Sequence, residues 1–235
     1  RSVLRLYGDA RPAVRFDSGQ ALLLRDQHGW TAIIGIPLEQ EAPGTLRASV
    51  SAPGISDYDV IVDVRSNRYA EQRLNVDRKY VEPSAEQLER IAAERRIIDS
   101  ALTAVRAVDV ANLQMSAPVG GRRSSSFGLR RFFNDQPRAP HKGMDIAAVA
   151  GTPVVAPLSG VVTERGNFYF NGNTVVIDHG QGFISLYCHL SEILAQPGQE
   201  ISAGTVLGKV GATGRVTGAH LHFATYLNGT AVDPA

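Results

Sequence analysis

Gly218-Ala219-His220-Leu221-His222-Phe223 lies near the end of the chain and runs on through Ala224, Thr225, Tyr226 and Leu227. These residues read as a strand. Successive side chains of a strand leave opposite faces, so His220 and His222 share one face while Leu221 and Phe223 share the other. An apolar core rejects two imidazoles, so this face lines a cleft or holds something. Two histidines on an exposed edge strand are the plain alternative.

Upstream, His141-Lys142-Gly143-Met144-Asp145 sets a histidine four residues before an aspartate. A helical turn or a looped segment can bring such a pair together. With His222 the pair makes two imidazoles and one carboxylate, and a catalytic zinc takes three such ligands and keeps a fourth position for water. A further histidine stands in Tyr187-Cys188-His189-Leu190. Each motif alone is weak, and together they point to a metal.

The chain resembles the LytM/lysostaphin-like zinc metallo-endopeptidases, a family of peptidoglycan hydrolases. The resemblance rests on HKGMD at 141–145, Ile146-Ala147-Ala148, Gly151-Thr152-Pro153-Val154, Gly172 to Gly180, Tyr187 to Leu190 and Gly211 to Phe223. It covers residues 112–235, about half of the chain. Val149 and Ala219 stand where the family commonly has proline, and neither is a ligand position. The resemblance implies one zinc ion per chain on His141, Asp145 and His222, with His189 and His220 as catalytic groups beside it. The chemistry agrees, since neutral imidazoles and one carboxylate suit zinc and too few oxygens gather for calcium. Copper or cobalt fit the same donors. Which of His189 and His220 is the base stays open.

The bulk numbers are those of a globular chain. There are 235 residues, 43% hydrophobic and 20% charged, with a net charge of +1. That charge gives no argument for nucleic acid. No apolar run reaches the ~20 residues of a membrane span. A targeting or anchoring segment is expected upstream of Arg1. The single cysteine, Cys188, excludes an intrachain disulfide and does not locate the protein. Alternation puts Cys188 and His189 on opposite faces, so Cys188 reads as a small buried hydrophobe.

The fold class is mainly β. Residues 1–80 are expected to form a small immunoglobulin-like β-sandwich, with strands at Trp30–Ile36, Leu46–Val50 and Tyr58–Val64. Turns are read at Arg11-Pro12, 26–29, Ala42-Pro43-Gly44 and 52–54. His28 is a turn residue. Residues 81–110 are expected to be a linker helix, over 84–108. Ser84 and Gln87 suit a capping box, and Leu88, Ile91, Ile98, Leu102 and Val105 form its apolar stripe. Arg90 and Glu94 pair on its wet side. Residues 111–235 are expected to be a twisted antiparallel sheet, the peptidase domain. The glycine-rich 208–214 lacks the ending of a phosphate loop and reads as turn chemistry. His179 has a structural or rim role, Tyr187 is packed or reaches substrate, and Arg130 and Arg131 read as a solvated charge pair, with contact to acidic groups of a substrate or a neighbouring loop as the alternative.

The resemblance, not the spacing, supplies peptidoglycan as partner and the periplasm or cell envelope of a bacterium as place, by export. The D-Ala–meso-diaminopimelate cross-link is favoured over an oligoglycine bridge, because the arginine-rich organisation of β module plus helix resembles envelope enzymes of Gram-negative bacteria more than secreted bacteriolysins. From another class comes a non-catalytic scaffold that activates other wall hydrolases, which would lack ligands. A third reading is an enzyme held shut by its own N-terminal portion. The reading leaves room for a membrane anchor and a regulatory envelope protein.

Overall fold

The computed structural model describes residues 2–6, 8–16, 19–38 and 44–235. The chain is mostly strand with one long helix. A ten-stranded sheet runs through the C-terminal half. Its centre is the antiparallel set Gly160–Phe168, Gly172–Gly180, Phe183–Ile193, Leu221–Leu227 and Met144–Ala147. These strands are rich in Val, Ile, Phe and Tyr, the residues that fill a pleated surface. They bury one core on each side. Tyr187, Leu190, Leu221 and Phe223 belong to the first, and Leu186, Cys188, Ala224 and Tyr226 to the second.

Two smaller sheets precede this one. Ser2–Leu6, Gly29–Ile34 and Leu22–Asp26 make three strands, and Gly19–Gln20, Ala13–Phe16, Gly44–Ser51 and Tyr58–Val64 make four. They enclose a common core of Val14, Trp30, Ala32, Ala48 and Val50, which is sandwich-like packing. The expected strands form, with shifted ends, and the turn at Ala42-Pro43 lies outside the described residues. The sandwich is not isolated. Leu22 and Ile33 share a further core with Val110, Phe183, Leu227 and Val232 of the C-terminal half.

The helix spans Ala85–Thr103, and Ser84 caps it in a full capping box with Gln87. It stops before the expected end. Ala104 is extended, with φ −61 and ψ 137, so Val105 lies beyond the helix and is exposed. The stripe is narrower than its spacing suggests, because Leu102, Ile98 and Ala101 pack on the second core while Leu88 stays exposed. The Arg90–Glu94 pair forms at 2.6 Å, with Arg90 on the exposed side as expected. Glu94 is mostly buried and accepts the Tyr169 backbone N–H at 2.6 Å, which ties the helix to the sheet.

A third small sheet joins the halves. Glu71–Leu74 pairs in parallel with Arg130–Phe133, which pairs with Gln136–Pro137. Alternation does not mark these short strands, because most of their side chains are long and polar and Phe133 is the one buried apolar residue among them.

Candidate metal centre

HKGMD crosses from a loop into a strand, not onto a helical turn. Asp145 stands in the strand Met144–Ala147, directly across from His222 in Leu221–Leu227. Register therefore brings the carboxylate to the imidazole. Gly143 allows the close approach: a Cβ there would lie 2.5 Å from the Phe223 carbonyl oxygen and 2.9 Å from His222 Cε1.

His141, Asp145 and His222 converge. His222 Nδ1 is 2.8 Å from Asp145 Oδ1, His141 Nε2 is 3.1 Å from the same oxygen, and the two nitrogens are 3.0 Å apart. Four ligands at about 2.0–2.1 Å round a tetrahedral zinc stand roughly 3.3 Å apart. The three atoms already hold nearly that spacing. His141 Nδ1 lies 2.9 Å from the Ser126 carbonyl oxygen, which only accepts, so Nδ1 carries the proton and Nε2 offers a lone pair. Two imidazole nitrogens and a carboxylate oxygen aimed at one point are the donor set that a divalent ion fits.

The electrostatics agree. Burial opposes the charge of Asp145, but the imidazoles of His141 and His222 against it hold its carboxyl well below the usual range. Burial lowers His141 to about 4, against the pull of Asp145. Arg131 Nη2 donates to Asp145 Oδ2 at 2.9 Å, opposite the histidines. Arg131 Nε reaches Gln72 Oε1 at 3.0 Å, so the strand Glu71–Leu74 helps to hold the carboxylate. The expectation of a solvated pair fails for Arg131, whose side chain is 17% exposed, while Arg130 is exposed and pairs with Glu71.

His189 and His220 stand beside these three residues, their rings 4.9 Å apart. His220 Nε2 is 3.8 Å from Asp145 Oδ1. The Nδ1 atoms of His189 and His220 each donate at 2.9 Å, to the carbonyls of Thr213 and Gly218. Both Nε2 atoms are left for other partners. Burial, then the neighbouring His222 and His220, lowers His189 to about 3.

His189 reaches this place through a bulge. Strict alternation would put it with Tyr187, in the first core. Instead its φ is 66°, and Tyr187 and Leu190, three apart, face the same core. The partner strand counts only two residues from Val175 to Asn173 over that span. The extra residue turns His189 onto the side of His222. Cys188 and His189 thus leave the same side of the sheet, contrary to simple alternation. Cys188 is still inert, since burial pushes its thiol up to about 12.

Loop 211–219 places the Thr213 carbonyl. Gly172 lets it approach, for a Cβ at that position would lie 2.3 Å from Thr213 Oγ1. His179 is apart from the metal centre, buried with Nε2 2.7 Å from Ser185 Oγ, which bonds Tyr187 Oη at 2.8 Å. Tyr187 is fully buried against Phe223 and does not face the cleft.

Sheet and site have the form of a metallopeptidase with an antiparallel β core. The model of Peptidase family M23 matches residues 139–234. A crystal structure from Pseudomonas aeruginosa placed in M23 is 36% identical, covers 100% of this chain and 90% of its own, and superposes with a TM-score of 0.80. This chain belongs to peptidase family M23. It is 45% identical over 113 residues to the peptidoglycan DD-endopeptidase ShyA of Vibrio cholerae, covering 48% of this chain and 26% of ShyA. It is 40% identical over 97 residues to an uncharacterized metalloprotease of Haemophilus influenzae, covering 40% of this chain and 20% of that protein. The chain thus spans about a quarter or less of the length of these two relatives.

Proposed function

We propose that the chain is a zinc endopeptidase that hydrolyses peptide cross-links of bacterial peptidoglycan, at the D-Ala–meso-diaminopimelate bond, in the periplasm or envelope. The convergence of His141 Nε2, Asp145 Oδ1 and His222 Nδ1 carries this reading. In it these three residues hold the ion, and the units are 1–80, 81–110 and 111–235. Bound zinc supplies a Lewis acid that activates water and polarises the amide carbonyl. The chain does the rest. Arg131 orients the Asp145 carboxylate. His189 and His220 present Nε2 atoms to the cleft, where one takes the proton from the water and delivers it to the leaving amine, and the other, when protonated, steadies charge on the amide oxygen. Burial keeps His189 neutral.

The full set of five residues supports an enzyme over a scaffold. Two measurements test this. Elemental analysis of chelator-free protein is expected to find about one zinc per chain. Incubation with defined muropeptide dimers is expected to release monomers. Zinc below about 0.2 per chain with no cleavage refutes the enzyme reading, and cleavage of pentaglycine alone refutes the cross-link assignment.

A further inference from the structure

Arg215 stands in the loop before His220, between two aromatic rings. Its Cζ lies 4.6 Å from the Phe133 centroid and 4.3 Å from that of Phe170. Stacking occupies the faces of a guanidinium and leaves its N–H donors free at the edge. Arg215 borders both cavities beside the metal centre, of ≈ 320 and ≈ 690 Å³, and so does His189.

Among the described residues its surroundings lack a counter-charge. Arg131 has Asp145 and Arg130 has Glu71. No carboxylate among the described residues pairs with Arg215, and its charged neighbours are Arg131 and Arg138. Arg138 spends its donors on the Pro137 and Val81 carbonyls and on Gln136. Burial, then the two arginines, lowers Arg215 to about 10, still a full cation at neutral pH. A half-buried cation among cations is costly unless something negative arrives. The stacked rings hold its edge in place beforehand, so an arriving carboxylate meets a rigid fork.

We propose that Arg215 binds a free carboxylate of the substrate peptide, gripped in the plane of the guanidinium while the adjacent amide lies over the metal centre. This rests on the endopeptidase reading and deepens it, because it makes the substrate an anionic peptide. A diaminopimelate cross-link carries a free carboxylate beside the amide, and the interior of an oligoglycine bridge carries none.

The test uses two synthetic peptides with a D-Ala–diaminopimelate amide, one with the diaminopimelate carboxylate free and one with it amidated. Calorimetry on the metal-free full chain prevents turnover and metal–carboxylate contacts. Wild type is expected to bind the free acid about 10- to 100-fold more tightly than the amide, the range of a charge-assisted pair. Arg215→Gln is expected to bring the ratio near one by weakening the free acid alone, and Arg215→Lys to keep part of it. Equal binding in wild type, no binding of either peptide, or an unchanged ratio in Arg215→Gln overturns the proposal. Thermal melting checks folding. If the glutamine variant does not fold, the lysine variant decides, and an unchanged ratio there overturns it. Hydrolysis by the zinc-loaded wild type is scored separately. Selective binding without cleavage removes the endopeptidase reading and leaves the role of Arg215 standing.

Discussion

Asp145 takes three contacts from three directions: His141 and His222 on one oxygen and Arg131 on the other. The two kinds of contact predict different losses. Asp145→Ala or His222→Ala removes one of the proposed ligand atoms, so zinc and activity are expected to fall together. Arg131→Met leaves every ligand and frees the carboxylate to rotate, so zinc affinity falls about 10- to 100-fold, the usual cost of removing such a support. A competition titration with a chelator measures both. His220→Ala is expected to keep zinc while hydrolysis drops roughly 100-fold or more; retained turnover would remove His220 from the chemistry. The histidines also set a pH dependence. His141 and His189 are held at about 4 and about 3, burial being the main cause, against ~6.5 in an unfolded chain. Below pH ~6.5 the unfolded chain binds protons that the fold refuses, so stability falls with falling pH. The Tm of the metal-free chain is expected to be level above pH ~7 and to drop from pH ~6.5 towards ~4. A Tm that rises as the pH falls through that window contradicts these environments.

At the scale of elements, the strand and loop geometry carries the site. Gly143 tests it. A methyl at that position meets the Phe223 carbonyl at 2.5 Å and Ala224 Cβ at 2.8 Å, and neither can yield without parting two paired strands. Gly143→Ala is therefore expected to cost about 1–3 kcal/mol and to lower zinc affinity as well, as denaturant unfolding and metal titration would show. An unchanged affinity would mean that the strand pairing does not set the ligand spacing. This element level also marks how far the sequence could be read. HKGMD and HLHF pointed to the histidines and the aspartate that converge, because side chains of the types that bind metals are chemically distinctive. The alternation of Leu221 and Phe223 against His220 and His222 holds in the structure. The bulge at His189 was not legible, because no glycine marks it and a left-handed histidine looks like any other strand residue. Arg131 was missed for a different reason. A charged residue reads as solvated unless its buried partner is known, and that partner is 14 residues away in sequence. The glycine-rich 208–214 reads as turn chemistry, yet its Thr213 carbonyl orients His189.

At the scale of the whole molecule, the N-terminal half is built into the cleft. Glu71–Leu74 brings Gln72 to Arg131. Tyr80 donates to the Gly214 carbonyl at 2.8 Å, in the same loop as Arg215. Further off, Gln181 accepts the Leu23 N–H at 3.0 Å and donates to the Leu23 carbonyl at 3.1 Å. Leu22 and Ile33 are buried against Phe183 and Leu227. Sequence reading divides the chain near residue 111 because composition changes there, and composition does not show that apolar residues from both sides share a core. These contacts change what truncation can reveal about self-inhibition. A chain beginning at Ala111 loses the strand beside Arg130–Phe133 and uncovers Phe183, Leu227 and Val232. It is expected to melt well below the full chain and to bind zinc more weakly, so low activity in it would say nothing about a released lid. Tyr80→Phe separates the two ideas, because it removes the hydrogen bond to Gly214 and keeps the packing. If the segment around Tyr80 holds the groove shut, kcat/KM on a muropeptide dimer rises several-fold with Tm nearly unchanged. If the segment instead braces the loop that carries Arg215, kcat/KM falls through a higher KM. The contacts with Arg131 and with the Arg215 loop favour bracing, and a rise in kcat/KM would reverse that conclusion.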